Sequence, residues 1–132
     1  MGSEEKEYYT ISELASEFEI STRTIRYYEE IGLLSPKRTS GNQRIFTKKD
    51  RAKLKLILRG KRLGFSLEEI KEMIEIYDTA GEPEQIRLAL KYGEKKLKEI
   101  DEKINELQLL KEDLLTLRDM LLNRLKELGV DT

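Results

Sequence analysis

The sequence predicts a mainly α-helical chain in which two short helices, a hairpin and a second helix pair precede one long coiled-coil helix. Three observations carry this prediction. Helix-capping residues stand at Thr10, Ser21, Thr47 and Ser66, each ahead of apolar residues spaced three and four apart. A single turn-rich stretch, LLSPKRTSGNQRIF, lies between the second and third of them. From Pro83 to about Leu128 no proline or strong turn interrupts the chain, which would span ~65 Å if wholly helical at 1.5 Å per residue.

Taken in order, Thr10 and Glu13 form a capping box for a helix whose apolar positions are Ile11, Leu14, Ala15 and Phe18. That helix must stop near Glu19, because Ile20-Ser21 restarts the pattern with Ser21 as the N-cap of TRTIRYYEEIG. In this second helix Ile25 and Tyr28 point inward, leaving Arg23, Arg26, Tyr27 and Glu30 on the opposite side, and Gly32 ends it. Ser40-Gly41-Asn42 is the turn of a basic hairpin, with Arg44-Ile45-Phe46 as the return strand. Thr47 then caps a helix reaching about Leu63, with Leu54, Ile57 and Leu58 inward and a row of Lys and Arg outward. Ser66 and Glu69 box the next helix, whose apolar stripe is Leu67, Ile70, Met73, Ile74 and Tyr77, and DTAGEP closes it. In the long helix the heptad seam runs Leu97, Ile100, Ile104, Leu107, Lys111, Leu114, Arg118, Leu121, Leu125, Leu128, with Gly93 as a candidate bend. Leu110, Leu115, Leu117, Met120 and Leu122 widen the stripe, which implies burial on more than one side. The expected organisation is a mobile tail at 1–7, a head at 8–78, a linker at 79–83, the coiled-coil dimerisation helix at 84–128 and a tail at 129–132.

Length and composition narrow the function. A chain of 132 residues has no room for two independent cores. Charged residues make up 39% of it and hydrophobic ones 38%, no apolar run is long enough to span a membrane, and no apolar segment follows the charged start. The expected location is the cytoplasm, without membrane attachment. MGSEEK has Lys6 where a myristoylation signal needs Ser or Thr. The absence of Cys and His removes thiolate and imidazole metal sites, nucleophilic Cys, Ser-His triads and imidazole acid–base chemistry. No catalytic residue, metal site or cofactor is expected.

The net charge of −1 hides a segregation. Between Ile20 and Gly64 stand thirteen cations and only three anions, Glu29, Glu30 and Asp50, a local charge of +10. A helix-turn-helix with exposed Arg and Tyr, a basic hairpin, a basic helix and a dimerising helix together make the working parts of a DNA-binding protein, the second helix fitting the major groove and the hairpin bringing cations to the flanking backbone. Two other readings compete with it. One is a coiled-coil interaction or adaptor protein whose basic segment binds an acidic partner. The other is an enzyme with a carboxylate or Tyr-based site, which no phosphate loop, metal-ligand spacing or paired-carboxylate pattern supports.

The residues also carry a family resemblance. YTISELASEFEISTRTIRYYEEIGLLSPKR resembles the opening helix-turn-helix and first wing of the MerR family of bacterial transcription regulators, and NQRIFTKKDRAKLKLILRGKRLGFSLEEIKEMI resembles its wing strand and second helix pair. LKLILRGKRLGFSLEEI followed by IYD is most similar to the LiuR-like branch, regulators of branched-chain amino-acid and acyl-CoA catabolism. The resemblance implies a winged helix-turn-helix homodimer, its long helices antiparallel, bound to a pseudo-palindromic promoter site that it bends and untwists, with RNA polymerase at the same promoter. Carried over by position, Thr22 and Arg23 would meet bases, Arg26 and Tyr27 the phosphates along the recognition helix, Arg44 the first-wing contact and Lys61 a phosphate near the second wing. Arg38 and Arg62 are further DNA-binding candidates, and the helix capped by Ser66 could turn its N-terminus to a phosphate. The seam residues Leu97, Ile100, Ile104, Leu107, Leu114, Leu121, Leu125 and Leu128 would dimerise the chain. Metal-sensing and redox members use Cys, which this chain lacks, and drug-sensing members append a large ligand domain where only about four residues follow Leu128. An effector, if the chain takes one, is expected near Tyr77, Tyr92 and the stretch from Leu115 to Leu122.

Overall fold

The four capping residues each cap a helix. In the computed structural model, which describes residues 7–130, Thr10 and Glu13 exchange backbone and side-chain hydrogen bonds of 2.9 and 3.1 Å at the start of α1 (Ile11–Phe18). Glu19 takes a left-handed conformation, φ 54°, and turns the chain into Ser21, whose hydroxyl accepts from the Thr24 N–H at 3.1 Å and opens α2 (Thr22–Glu30). Past the cap residue Ile31, Gly32 stands at φ 84°. A left-handed residue there reverses the chain without a Cβ clash, and it delivers Leu33 and Leu34 into the core. The expected tail at 1–7 lies outside the described residues except for Glu7, as do the last two residues of the tail at 129–132.

A small antiparallel sheet packs against α1. Its strands are β1 (Tyr8–Tyr9), β2 (Lys37–Arg38) and β3 (Arg44–Thr47), ordered β1-β3-β2. The hairpin and its return strand are where the sequence places them, with Asn42 at φ 64° as the left-handed turn residue. β1 is an addition, since two residues carry no readable alternation. Its pairing of Tyr8 with Thr47 and Tyr9 with Phe46 makes β3 the central strand, and Phe46 is fully buried.

Thr47 ends β3 and also caps α3 (Lys48–Arg62), here in a capping box with Asp50, whose carboxylate accepts from the Thr47 N–H at 2.8 Å. Leu54 and Ile57 are fully buried, whereas Leu58 is only half-buried. At 100° per residue the buried arc runs from Leu54 through Ile57 to Gly60, on the side that meets the next helix, and Leu58 sits at its margin. That next helix is α4 (Leu67–Ala80), opened by the Ser66–Glu69 capping box and burying Ile70, Met73 and Ile74. Gly60 permits the approach: a Cβ at this position would stand 2.8 Å from Ile70 Cγ1, closer than packed carbons tolerate. Ion pairs reinforce the packing. Asp78 of α4 holds Lys49 at 3.0 Å and Lys53 at 2.8 Å, and Glu17 of α1 receives the Arg51 Nε of α3 at 2.9 Å on both carboxylate oxygens.

The expected linker at 79–83 contracts to one residue. Thr79 and Ala80 complete α4, Gly81 breaks it at φ 88°, and α5 (Glu82–Glu127) begins at once. Pro83 falls in the first turn, where no intrahelical N–H donor is needed. The described residues divide into two compact units, with the boundary between Leu88 and Ala89, inside α5. α5 continues through Gly93 without interruption and has no buried residue. Leu97, Ile100, Ile104, Leu107, Leu114, Leu121 and Leu128 are all exposed in the single chain and Leu125 is half-buried. Beyond Leu107 the apolar row also steps through Leu110 and Leu117 beside Lys111 and Arg118, a local change of heptad phase.

Candidate nucleic-acid interface

Helix α2 sets the geometry of the site. Ile25 and Tyr28 are buried, so the helix cannot rotate, and Arg23, Arg26 and Tyr27 are held outward as their spacing predicts. Tyr27 is 45% exposed against 4% for Tyr28, although their ring centroids lie only 5.9 Å apart. Thr22, the first residue of the helix, is half-buried. Arg44 reaches the same place from β3: one open concavity is lined by Arg23, Arg26, Tyr27, Glu29, Glu30 and Arg44. Arg38 joins it through Glu29. Lys61 and Arg62 are exposed in the last turn of α3 and do not line this concavity.

The basic segment divides into two populations that counting charges could not separate. Lys49, Arg51 and Lys53 tie helices together, and Lys53 has only 11% of its side chain exposed. The Arg51 guanidinium also stands 5.9 Å from the Tyr9 ring and 5.7 Å from that of Phe18. Arg51 and Lys53 therefore leave the outward row that the helical spacing suggests, whereas Lys49 stays exposed while paired with Asp78. Arg23, Arg26, Lys37, Arg38, Lys48, Lys55, Arg59, Lys61 and Arg62 are exposed.

Glu29 also lines the concavity, although the sequence does not single it out. Its carboxylate accepts from Arg44 Nε at 2.5 Å and from Arg38 Nη2 at 3.3 Å. Two arginines fifteen and nine residues downstream can be recognised as partners only once the hairpin has folded back on α2. Burial pushes the Glu29 pKa up, but the hydrogen bonds and charges of Arg44 and Arg38 together outweigh it and hold the carboxyl below its ordinary 4.5. The Arg51 hydrogen bond lowers Glu17 in the same way. For Asp78, burial is again the largest influence and acts upward, and Lys53 and Lys49 overcome it to leave the group below 3.8. A carboxyl whose folded pKa is depressed contributes stability above its unfolded pKa and loses it as pH falls through the folded value. The melting temperature of the head should therefore hold from neutrality to about pH 5 and drop progressively below about pH 4. A titration followed by circular dichroism checks this, and constant stability down to about pH 3 would deny these pairs their role.

A helix-turn-helix whose exposed Arg–Tyr face shares one concavity with a basic wing has recognisable relatives. The model of the MerR helix-turn-helix regulatory family matches residues 9–75, and that of the MerR DNA-binding family matches residues 51–117. The chain belongs to the MerR family. Its members are DNA-binding transcription regulators, not enzymes. The HTH-type transcriptional regulator ZntR of Escherichia coli is 37% identical over 114 residues, covering 84% of this chain and 79% of ZntR. HmrR of Rhizobium leguminosarum is 36% identical over 98 residues, 74% of each chain. Among solved structures, HiNmlR, a MerR family regulator lacking the sensor domain and bound to promoter DNA, matches with a TM-score of 0.58 and 32% identity over 93% of this chain and 92% of its own. A MerR regulator from Bacillus cereus matches with a TM-score of 0.55 and 32% identity over 90% and 83%. These relatives place the chain in the family and do not place it in the LiuR-like branch. Among the described residues no helix is long and apolar enough to cross a membrane.

Proposed function

We propose that this protein binds a pseudo-palindromic promoter site as a homodimer, places α2 in the major groove and distorts the duplex between the two half-sites. The convergence of Arg23, Arg26, Tyr27 and Arg44 on one concavity carries the reading, because it gathers bidentate base-reading donors and phosphate donors from a helix and a wing onto one surface. In the proposed complex Thr22 and Arg23 face bases, Arg26 and Tyr27 the adjoining phosphates, and Arg44, with Arg38, the backbone beside the wing. Lys61 and Arg62, in a last helical turn followed by the left-handed Gly64, supply a second phosphate contact. The promoter-bound state of HiNmlR supports this reading. The exposed leucines of α5 supply the dimer contact. Bending the site costs about 1–6 kcal/mol by elastic estimates, within reach of contacts to RNA polymerase at the same promoter. The protein acts in the cytoplasm, where promoter DNA is.

Selection of bound duplexes from a random library should enrich an inverted repeat, and anisotropy titrations on that repeat should show log affinity falling linearly with log salt by about 0.9 per phosphate neutralised. Arg26→Ala is expected to weaken all sequences alike and reduce the slope by about one phosphate. Arg23→Ala is expected to lose about 1–3 kcal/mol of discrimination at one base position of each half-site. A salt-insensitive complex, or no enrichment from a folded dimer, would move the basic segment to an acidic protein partner.

A further inference from the structure

We propose that Glu29 is a positioning residue of the DNA interface, its carboxylate holding the wing arginines Arg38 and Arg44 at one setting against α2 so that wing and helix meet the duplex as a single surface. This deepens the regulator reading above and rests on it. Arg38 and Arg44 are direct cross-strand partners, and like charges in that register repel. Left alone, they would splay the strands that carry them. Glu29 stands between the two, 2.5 Å from Arg44 Nε and 3.3 Å from Arg38 Nη2. Arg38 Nη1 also donates to the carbonyl of Asn42 at 3.2 Å, so one chain of contacts runs from the helix across both strands to the tip of the hairpin.

The placement of the carboxylate separates this role from that of an ordinary ion pair. Glu29 lines the same concavity as Arg23 and Arg26, where a negative charge opposes every phosphate that approaches. It lowers affinity for DNA of any sequence while fixing the geometry that only the right sequence can use. The division of donors fits this. Arg44 engages Glu29 through Nε alone, and its planar guanidinium still has both Nη groups to offer a phosphate. Arg38 commits one Nη to Glu29 and the other to the turn, and acts as the locking arm.

Removing the charge should therefore move two affinities in opposite senses, which a residue serving stability alone would not do. The 132-residue chain and its Glu29→Gln and Glu29→Asp variants are titrated by anisotropy on the enriched inverted repeat and on a scrambled duplex across a salt series, with melting temperatures alongside. Glu29→Gln is expected to bind the scrambled duplex about 3-fold more tightly, with a salt slope steeper by about one phosphate, and the inverted repeat about 3-fold more weakly, so that the ratio of specific to scrambled affinity falls about tenfold. Glu29→Asp keeps the charge but cannot span both arginines. It should leave scrambled binding unchanged and lower the ratio by a smaller factor, and it decides the matter if Glu29→Gln does not fold. An unchanged ratio, or equal weakening on both duplexes with a lowered melting temperature, overturns the positioning role. Wild-type protein that binds neither duplex overturns the regulator reading and this role with it, whereas wild-type binding with unaltered variants overturns this role alone.

Discussion

Replacing Leu107 and Leu114 with Glu in one chain is expected to give a monomer that no longer binds the inverted repeat. Both side chains are exposed in the single chain, 64% and 57%, and both remain on the apolar row whether it is traced through Lys111 and Arg118 or through Leu110 and Leu117. The substitutions thus test the seam without presupposing its phase. Burying a Leu contributes about 1.5–3 kcal/mol, and two such residues in each of two chains give ~6–12 kcal/mol for the interface, before the cost of placing carboxylates there. That exceeds the free energy of a micromolar dimer, about 8 kcal/mol, over much of its range. Sedimentation should report the monomer mass. Helical signal should fall as well, because an unpartnered α5 keeps its leucines in water and helices of this kind owe most of their stability to packing. The head, which buries its own core, should still melt cooperatively. Operator binding should drop by at least a hundredfold, since one half-site retains only half of the contacts. A variant that stays dimeric would remove α5 as the dimerisation element and leave its exposed leucines without an account.

What the sequence could and could not reveal follows from the range of the interactions. Helix caps act over three residues, so the N-cap Ser21 and the capping boxes at Thr10 and Ser66 are legible, as is Thr47, whose partner Asp50 is not, because a box more often closes on Glu or Gln. Helical periodicity placed Ile25 and Tyr28 inside and Arg23, Arg26 and Tyr27 outside, and the structure agrees. It failed at Leu58, because spacing gives a face and only the direction of the packed neighbour decides where that face is centred. Nothing local marks β1, or the need for Gly60 opposite Ile70, or the capture of Lys49 and Lys53 by Asp78. The same limit hid Glu29. A Glu beside Glu30 in a basic segment is indistinguishable from solvated surface until the strands that carry Arg38 and Arg44 fold back against it. The site was therefore legible where one helix makes it and illegible where two elements share it.

Phe46→Ala is the second large effect, and it reaches from the core to the interface. Phe46 is fully buried on the central strand, paired with Tyr9 of β1 and followed at once by Thr47, the cap of α3. Truncating a buried Phe costs about 3–5 kcal/mol when the site cannot collapse. Here collapse is opposed on three sides, since α1, α3 and β1 all pack on β3. For a head of this size each kcal/mol lowers the melting temperature by about 4–8 °C, so a fall of at least 12 °C is expected, roughly, enough to unfold a marginal domain at growth temperature. Leu58→Ala is the control, since a half-buried side chain at the margin of the arc should cost well under half as much. The functional consequence comes from strand geometry. Arg44 lies two residues from Phe46 and so on the same face of β3, and a strand that shifts to fill the cavity carries the Arg44 Nε away from Glu29. Specific binding should then weaken at temperatures where the variant is still folded, while Leu58→Ala binds as the wild type does. Equal specificity in the two variants below their melting transitions would mean that the wing is set by the hairpin alone and not by the core beneath it.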